Sequence, residues 1–334
     1  MTDPANQLID GFGRVHTSLR LSVTDRCNIR CSYCMPSEFV RFLPRPGILS
    51  FEELTRVARV FAGLGVDKIR LTGGEPLVRR DLHLLIRSLR GIDSVAEIAL
   101  TTNATLLADQ AGLLKQSGLD RINVSLDTLD PRQFRQITRR DGLQAALDGI
   151  AAAAAAGFRG TSINAVAVRG LIESQIVPLT RFALDHELTL RFIEFMPLNA
   201  EGDWTDASVL SGEEIRTVIE GRFGPLVPAP RPDPSRPAVD YRFAGGSGTI
   251  GFVNSVSQPF CQACNRLRIT ADGKIRNCLF SHQEWDLRER LRSGAADEEL
   301  RAAIRQCVAA KKQAHGIGSA EFAKPARAMY QIGG

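Results

Sequence analysis

No apolar run in this 334-residue chain approaches the roughly 20 residues that cross a bilayer. The first residues, Met1-Thr2-Asp3-Pro4, show neither a basic start nor an apolar stretch, so we expect no secretory signal. Aromatic residues make up only 6% of the chain, and its basic residues are spread out rather than set among aromatic ones. We therefore expect neither a membrane nor a nucleic-acid partner.

Lysine is also scarce, since the chain has six lysines and 36 arginines. The net charge is a mild +5. Arginine suits phosphate and carboxylate, although a GC-rich genome gives the same bias. A hydrophobic content of 44% with 24% charge is typical of a globular protein of one large or two smaller domains. Six of the seven cysteines fall in two triads, which suits metal binding in a reducing cytoplasm better than disulfides.

The first triad, Cys27, Cys31 and Cys34, lies within eight residues. Thiolates are the usual ligands of iron–sulfur clusters, and three of them leave one iron of a cubane open to a small molecule. A structural zinc and a disulfide are the alternatives. Zinc usually shows paired two-residue spacings with a clear fourth ligand, and none lies nearby in the sequence. The spacing favours a cluster that takes part in chemistry.

Short β-branched segments alternate with amphipathic ones from about residue 17 to 195, which predicts βαβ units and a parallel sheet. Strands are expected at 19–23, 68–72, 97–101, 121–126, 162–168 and 189–195. Helices are expected at 51–64, 82–90, 107–116, 143–156 and 173–186. Periodicity does not distinguish an open doubly wound sheet from a partial barrel. Six prolines in 224–237 predict a connector, followed by short strands and two helices near 285–292 and 298–314.

The second triad is Cys261, Cys264 and Cys278. Segments 266–270 and 274–278 read as a hairpin with an Ala271-Asp272-Gly273 turn, which would bring Cys278 close to Cys264. His282 could complete a zinc tetrahedron, so a zinc site and a second cluster both remain compatible with this spacing. Cys307 shares an apolar helix face with Leu300 and Ile304, and we expect it in the core.

Several motifs resemble those of known enzymes. CxxxCxYC at Cys27 is similar to the signature of radical S-adenosylmethionine (radical SAM) enzymes. FCxxCNRLR followed by TADGKIRNCLF closely resembles the C-terminal motif of the GTP 3′,8-cyclase family of molybdenum cofactor biosynthesis. Four further segments resemble motifs of the same family: LRLSVTDRCNIRCSYCMP, KIRLTGGEPLVR, INVSLDTLD and RFIEFMPL. The resemblance extends from about Arg20 to Leu279. Gly333-Gly334 matches that family's double-glycine tail.

The resemblance implies an α/β fold, an incomplete six-stranded (β/α) barrel of the TIM type with a C-terminal cluster-binding extension. Its expected parts are a barrel at 14–222, a connector at 223–240, a second-cluster region at 241–315 and a flexible tail at 316–334. It also implies two 4Fe–4S clusters, on the two cysteine triads, with SAM and GTP as bound molecules. SAM contacts are implied for Tyr33, Gly74, Glu75, Ser125 and Met196, and GTP contacts for Arg20, Arg70, Thr101, Arg266 and Arg268.

The family further implies a low-potential electron donor, a homodimer, and a downstream cyclic pyranopterin monophosphate synthase. One position departs from the pattern, because Ser162 stands where the family commonly has a GTP-binding lysine. Neighbouring arginines could compensate, GTP could bind more weakly, or the substrate could be a related one. A different radical SAM reaction with an auxiliary cluster and a non-catalytic zinc-stabilised binding module are the two rival interpretations of the chain.

Overall fold

The computed structural model describes residues 7–36, 40–198, 202, 204–246 and 248–334. Its strands are Ser18–Ser22 (β1), Lys68–Thr72 (β2), Glu97–Thr102 (β3), Arg121–Ser125 (β4), Ser162–Ala167 (β5), Thr189–Glu194 (β6), Leu226–Pro228 (β7), Val239–Phe243 (β8), Thr249–Val253 (β9), Arg266–Ile269 (β10), Lys274–Arg276 (β11) and Trp285–Asp286 (β12). Its α-helices are Phe51–Ala62 (α1), Leu82–Arg90 (α2), Ala111–Gln116 (α3), Pro131–Thr138 (α4), Leu143–Ala155 (α5), Ile176–Asp185 (α6), Gly212–Phe223 (α7), Arg288–Arg292 (α8), Asp297–Ala309 (α9) and Met329–Ile332 (α10).

One sheet holds all these strands, in the order β12-β11-β10-β1-β2-β3-β4-β5-β6-β9-β8-β7. The run from β10 through β1–β6 to β9 is parallel throughout, and the outermost strands at both edges pair antiparallel. The expected incomplete barrel is therefore confirmed. The C-terminal region extends it on both sides, adding β10 next to β1 and β9 next to β6.

The helices bury their apolar faces against this sheet, so the main core is continuous from α1 to α9. Helix α1 starts at a capping box in which Ser50 and Glu53 satisfy each other's backbone amides. Helix α4 was not predicted, although Asp130 caps its first turn and Pro131 occupies its first position. None of the described helices is long and apolar enough to cross a membrane.

The chain's last residues lie against the barrel mouth rather than forming the loose tail that the sequence predicts. Tyr330 and Ile332 are buried, and Tyr330 packs edge-to-face on Phe42. Arg327 pairs with both Asp272 and Glu284 beside the β10–β11 hairpin. Apolar burial and two carboxylate contacts thus hold a segment whose composition alone gives no helical or strand periodicity.

Strand β7 lies in the predicted connector, and its Pro228 is tolerated because the strand forms the sheet edge.

Candidate functional site

A cavity of about 430 Å³ occupies the inside of the open barrel, and all six triad cysteines line it. The cysteines Cys27, Cys31 and Cys34 follow the carboxyl end of β1, where ligands collect in parallel β/α folds. The second triad brackets β10 and β11 and faces the same space from another side. Chain segments that are some 230 residues apart in sequence thus converge on one cavity.

The first triad lies on a tight loop that is anchored to the fourth strand. The Cys34 amide donates to the Cys31 carbonyl at 2.9 Å. The Tyr33 hydroxyl donates to Asp127 Oδ2 at 2.6 Å, and the other oxygen of Asp127 accepts from the Val166 amide. Burial raises the pKa of the Cys27 thiol to about 11 and that of Cys34 to about 12. These thiols are therefore neutral near pH 7 until a metal ion displaces their protons.

The Thr72-Gly73-Gly74-Glu75-Pro76 loop at the end of β2 lies beside this triad. A Cβ at Gly74 would clash with the backbone carbonyl of Arg26, so only glycine fits there. Gly74 lines the cavity, whereas the Glu75 carboxylate points behind the wall. It accepts hydrogen bonds from the Leu77 amide, the Thr102 hydroxyl and the Asn103 amide. Glu75 therefore joins the ends of β2 and β3, and any support it gives a ligand is indirect.

The other strand-end residues that the resemblance singles out also reach the cavity. Tyr33, Thr101, Ser125 and Met196 are among its lining residues. Parallel register explains this, since successive strands bring their carboxyl ends to one edge of the sheet.

Four arginines form a cationic wall between the two triads. Arg20 lies in register between Arg268 of β10 and Arg70 of β2, and Arg266 lies two residues before Arg268 on the same face. None of the four has a carboxylate within ion-pairing distance among the described residues, and buried nitrogens of Arg70 and Arg266 lack hydrogen-bond partners. Burial and the neighbouring guanidinium groups lower the pKa of Arg20. Such an arrangement is favourable only when an anion occupies the space between these groups.

The second triad lies among cations. Burial raises the pKa of the Cys264 thiol, but the charges of Arg266 and Lys311 outweigh burial and lower it to about 6. Lys311 Nζ and Arg266 Nη2 each lie 3.7 Å from Cys264 Sγ. His282, the candidate fourth zinc ligand, instead contacts the Ala323 carbonyl with Nε2 at 3.0 Å and is absent from the cavity lining.

Both triads have the donor chemistry of iron–sulfur sites. The six cysteines are free thiols, none is fully exposed, and each triad faces the shared cavity with its three sulfurs. Among the described residues no three His, Cys, Asp or Glu side chains are grouped closely enough to share a single metal ion. A cubane does not require such a grouping, because each thiolate ligates a different iron.

Cys307 is fully buried in the main core, as predicted.

The C-terminal tail closes one side of the cavity. The Gly333 carbonyl accepts from Arg268 Nη1 at 2.6 Å, and Gly334 is a lining residue. Gly333 has a φ of 88°, and a Cβ there would lie 2.7 Å from Thr72 Oγ1. The left-handed backbone and the close approach together require glycine at this position.

Arg191 lines the cavity but was not singled out from the sequence. Its Nη1 donates to the Ser162 hydroxyl at 3.1 Å, and its Nε lies 3.4 Å from Asp240. Asn103 also escaped prediction as a cysteine partner; its Nδ2 lies 3.9 Å from Cys27 Sγ. Their positions in the sequence could have identified both residues as candidates. Each lies on or just after a predicted barrel strand, and both line the cavity.

Comparisons with known proteins agree with this geometry. Residues 21–183 match the Radical SAM superfamily, and residues 188–317 match the family described as Molybdenum Cofactor Synthesis C. A GTP 3′,8-cyclase of Rhodopirellula baltica is 52% identical, with 100% of this chain and 94% of the relative covered. The chain belongs to the GTP 3′,8-cyclase family. Family members from Pelotomaculum thermopropionicum and Mycolicibacterium smegmatis are 44% and 46% identical, covering 97% and 98% of this chain and 99% and 92% of their own lengths.

Solved structures outside the GTP 3′,8-cyclase family share the fold. Streptococcus suis SuiB bound to S-adenosylmethionine superposes with a TM-score of 0.60 at 16% identity, covering 87% of this chain and 68% of that one. The same protein bound to its precursor peptide SuiA gives a TM-score of 0.59. At this identity the likeness shows the fold alone. The two sequence families meet just before β6, so the continuous parallel sheet contains strands from both.

Proposed function

We propose that this chain is a radical SAM lyase that converts GTP to (8S)-3′,8-cyclo-7,8-dihydroguanosine 5′-triphosphate, the first step of molybdenum cofactor biosynthesis. The observation that carries the proposal is the wall of four arginines, which have no carboxylate partner among the described residues, in the cavity that both cysteine triads line. Membership of the GTP 3′,8-cyclase family supports the same reaction.

Cys27, Cys31 and Cys34 would hold one 4Fe–4S cluster, which would bind SAM and supply the electron for its cleavage to methionine and a 5′-deoxyadenosyl radical. The chain's own residues would position SAM. Tyr33, Gly74, Ser125 and Met196 line the cavity around this triad, and Glu75 holds the Gly74 loop in place. Their contribution is orientation, which keeps the reactive carbon close to the second substrate.

The second triad would hold another cluster, and GTP would bind between the two sites. A triphosphate carries about four negative charges near neutrality and needs several cations where water is limited. Arg20, Arg70, Arg266 and Arg268 offer those charges without competing carboxylates, and Thr101 lies on the same cavity wall. The guanine would face the second triad, with the ribose toward SAM.

In this arrangement the radical would take a hydrogen atom from C3′ of the ribose. The C3′ radical would add to C8 of the guanine, and one further electron and one proton would complete the product, which is an isomer of GTP. Both electrons would come from the low-potential donor that the resemblance implies. The protein excludes water and holds C3′ and C8 close together, so that ring closure outruns competing reactions.

Arg191 would place a guanidinium group, paired with Asp240, beside position 162, where the family commonly has a lysine. Its guanidinium is held between the Ser162 hydroxyl and Asp240 and reaches the cavity. A serine is small enough to leave room for this arginine, and its oxygen accepts one of the arginine's hydrogens. A homodimer and a cyclic pyranopterin monophosphate synthase that consumes the product complete the proposal.

The deciding experiment is anaerobic incubation of iron-reconstituted protein with GTP, SAM and a strong reductant, followed by mass spectrometry. We expect 5′-deoxyadenosine together with a product isomeric with GTP. Deoxyadenosine without that isomer would retain radical SAM chemistry and reject GTP as substrate. A colourless, zinc-containing protein after anaerobic purification would instead support a binding module.

A further inference from the structure

The segment Lys311–His315 follows helix α9. Its five residues contact, directly or through Arg14, all three segments that carry the second cysteine triad. Lys311 Nζ donates to the Arg266 carbonyl at 3.0 Å and to the Asn277 carbonyl at 2.5 Å. These carbonyls lie two residues after Cys264 and one before Cys278. The same Nζ lies 3.7 Å from Cys264 Sγ, within reach of an N–H···S hydrogen bond. One ammonium group therefore ties two cysteine segments together.

The third segment is held to the same five residues by Arg14. Its Nη1 donates to the Cys261 carbonyl at 2.7 Å and to the Gln313 carbonyl at 2.8 Å, and its Nη2 donates to the Lys312 carbonyl. Asp10 fixes the guanidinium through Nε at 2.7 Å. Burial raises the pKa of the Cys261 thiol, and a backbone hydrogen bond from His315 offsets part of that rise. The N-terminal segment thus contributes to a site that is about 250 residues away in sequence.

Lys311 is an unusual residue to bury, because it is only 5% exposed and has no carboxylate within ion-pairing distance in the described part of the chain. Two carbonyls satisfy its hydrogens, yet neither neutralises its charge. The nearest group able to become anionic is the Cys264 thiol. A buried ammonium without a carboxylate is costly unless a thiolate site lies beside it.

We propose that Lys311 is a positioning residue of the second iron–sulfur site, where its ammonium group fixes the cysteine segments and places a positive charge against the Cys264 sulfur. This inference rests on the proposed function only in requiring a cluster on the second triad. Partners of metal ligands orient those ligands, and their loss typically lowers metal affinity about 10- to 100-fold. Charge and hydrogen bonds at the sulfur also set the reduction potential of a cluster.

The test uses the full chain with Cys27, Cys31 and Cys34 replaced by alanine, so that only the second site gives a signal. Lys311→Met is compared with Lys312→Met, a matched control because the neighbouring side chain is exposed. After anaerobic reconstitution, iron release to a ferrous chelator and a potentiometric titration followed by electron paramagnetic resonance are measured. In Lys311→Met we expect iron release on the order of tenfold faster. We also expect a more negative reduction potential, because a nearby positive charge favours the more negatively charged reduced cluster.

The Lys312 control should behave as its parent in both measurements. If the methionine variant does not fold, Lys311→Gln keeps hydrogen-bond donors for the two carbonyls without the charge, and its potential should still shift to a more negative value. Unchanged iron release and potential in a folded Lys311 variant would overturn this inference alone. A parent protein that binds no iron at the second triad would overturn the two-cluster proposal as well, so the two failures are distinguishable.

Discussion

The two cysteine triads face one cavity but differ in their electrostatic surroundings. Burial raises the pKa values of Cys27 and Cys34 to about 11 and 12, and no lysine contacts their sulfurs among the described residues. At the second triad, Arg266 and Lys311 lower the pKa of Cys264 to about 6. The first site is therefore neutral before metal binding, while the second already favours a thiolate.

This difference matches the molecules that each side would hold. SAM brings its own sulfonium charge and an amino group, so the first side needs shape and anchoring more than added cations. GTP brings a strongly anionic triphosphate, and the second side is continuous with the wall of Arg20, Arg70 and Arg268. Electrostatics thus divides the cavity into two halves before any ligand enters.

The largest expected effect separates the roles of the triads. Cys31→Ala should abolish 5′-deoxyadenosine formation, because the proposed function places SAM cleavage at the first site. Cys278→Ala should leave SAM cleavage measurable while the GTP isomer disappears. Cys307→Ala is the matched control, since this cysteine is a core residue and its loss costs stability rather than chemistry. Equal loss of deoxyadenosine in both triad variants would contradict the division of labour.

The next effect concerns thiol reactivity in the metal-free protein. With a pKa of about 6, Cys264 is mostly thiolate at pH 7, whereas Cys27, with a pKa of about 11, is almost entirely thiol. Allowing for the weaker nucleophilicity of low-pKa thiolates, alkylation of Cys264 should be about a hundredfold faster. Peptide mass spectrometry after timed iodoacetamide treatment measures the ratio.

The pH dependence provides the control for the alkylation experiment. The rate at Cys264 should level off above pH 7, because its thiol is already ionised there, whereas the rate at Cys27 should keep rising through pH 9. Parallel rises at both cysteines would show that their surroundings do not differ as described.

A third effect tests whether the arginine wall serves the ligand rather than the fold. Arg20→Met removes one of several like charges, so the ligand-free protein should gain about 1 kcal/mol in its free energy of unfolding. GTP should bind about 2 kcal/mol more weakly, or roughly thirtyfold, because a charge-assisted hydrogen bond is lost. Urea unfolding and anaerobic calorimetry provide the two values. Arg305→Met, on the exposed face of α9, should change neither of them.

Local patterns predicted much of this molecule. The six barrel strands agree with their predicted bounds to within a residue at either end, since each combines β-branched residues with a nearby turn. The cysteine triads could also be predicted, because the cysteines of each triad lie close together in the sequence. The contacts of Lys311 and Arg14 could not be predicted. Both side chains bind backbone carbonyls of distant segments, and every residue has a carbonyl, so the sequence does not mark these acceptors. The packed tail escaped prediction because its anchors lie in the β10–β11 hairpin and beyond it, at Asp272 and Glu284.

The smallest expected effect concerns how the first triad is anchored. Cations from distant segments hold the second triad, whereas one anchor of the first is the hydrogen bond from Tyr33 to Asp127. Tyr33→Phe removes the hydroxyl that donates to Asp127 Oδ2, which should cost about 1–2 kcal/mol in the free energy of unfolding. Iron should then be released faster from the first triad but not from the second. A double-mutant cycle with Asp127→Asn isolates the pairwise contribution, because the Asp127 contact with the Val166 amide is made through the other carboxylate oxygen. Equal acceleration at both triads would show that Tyr33 stabilises the barrel as a whole rather than the cluster loop.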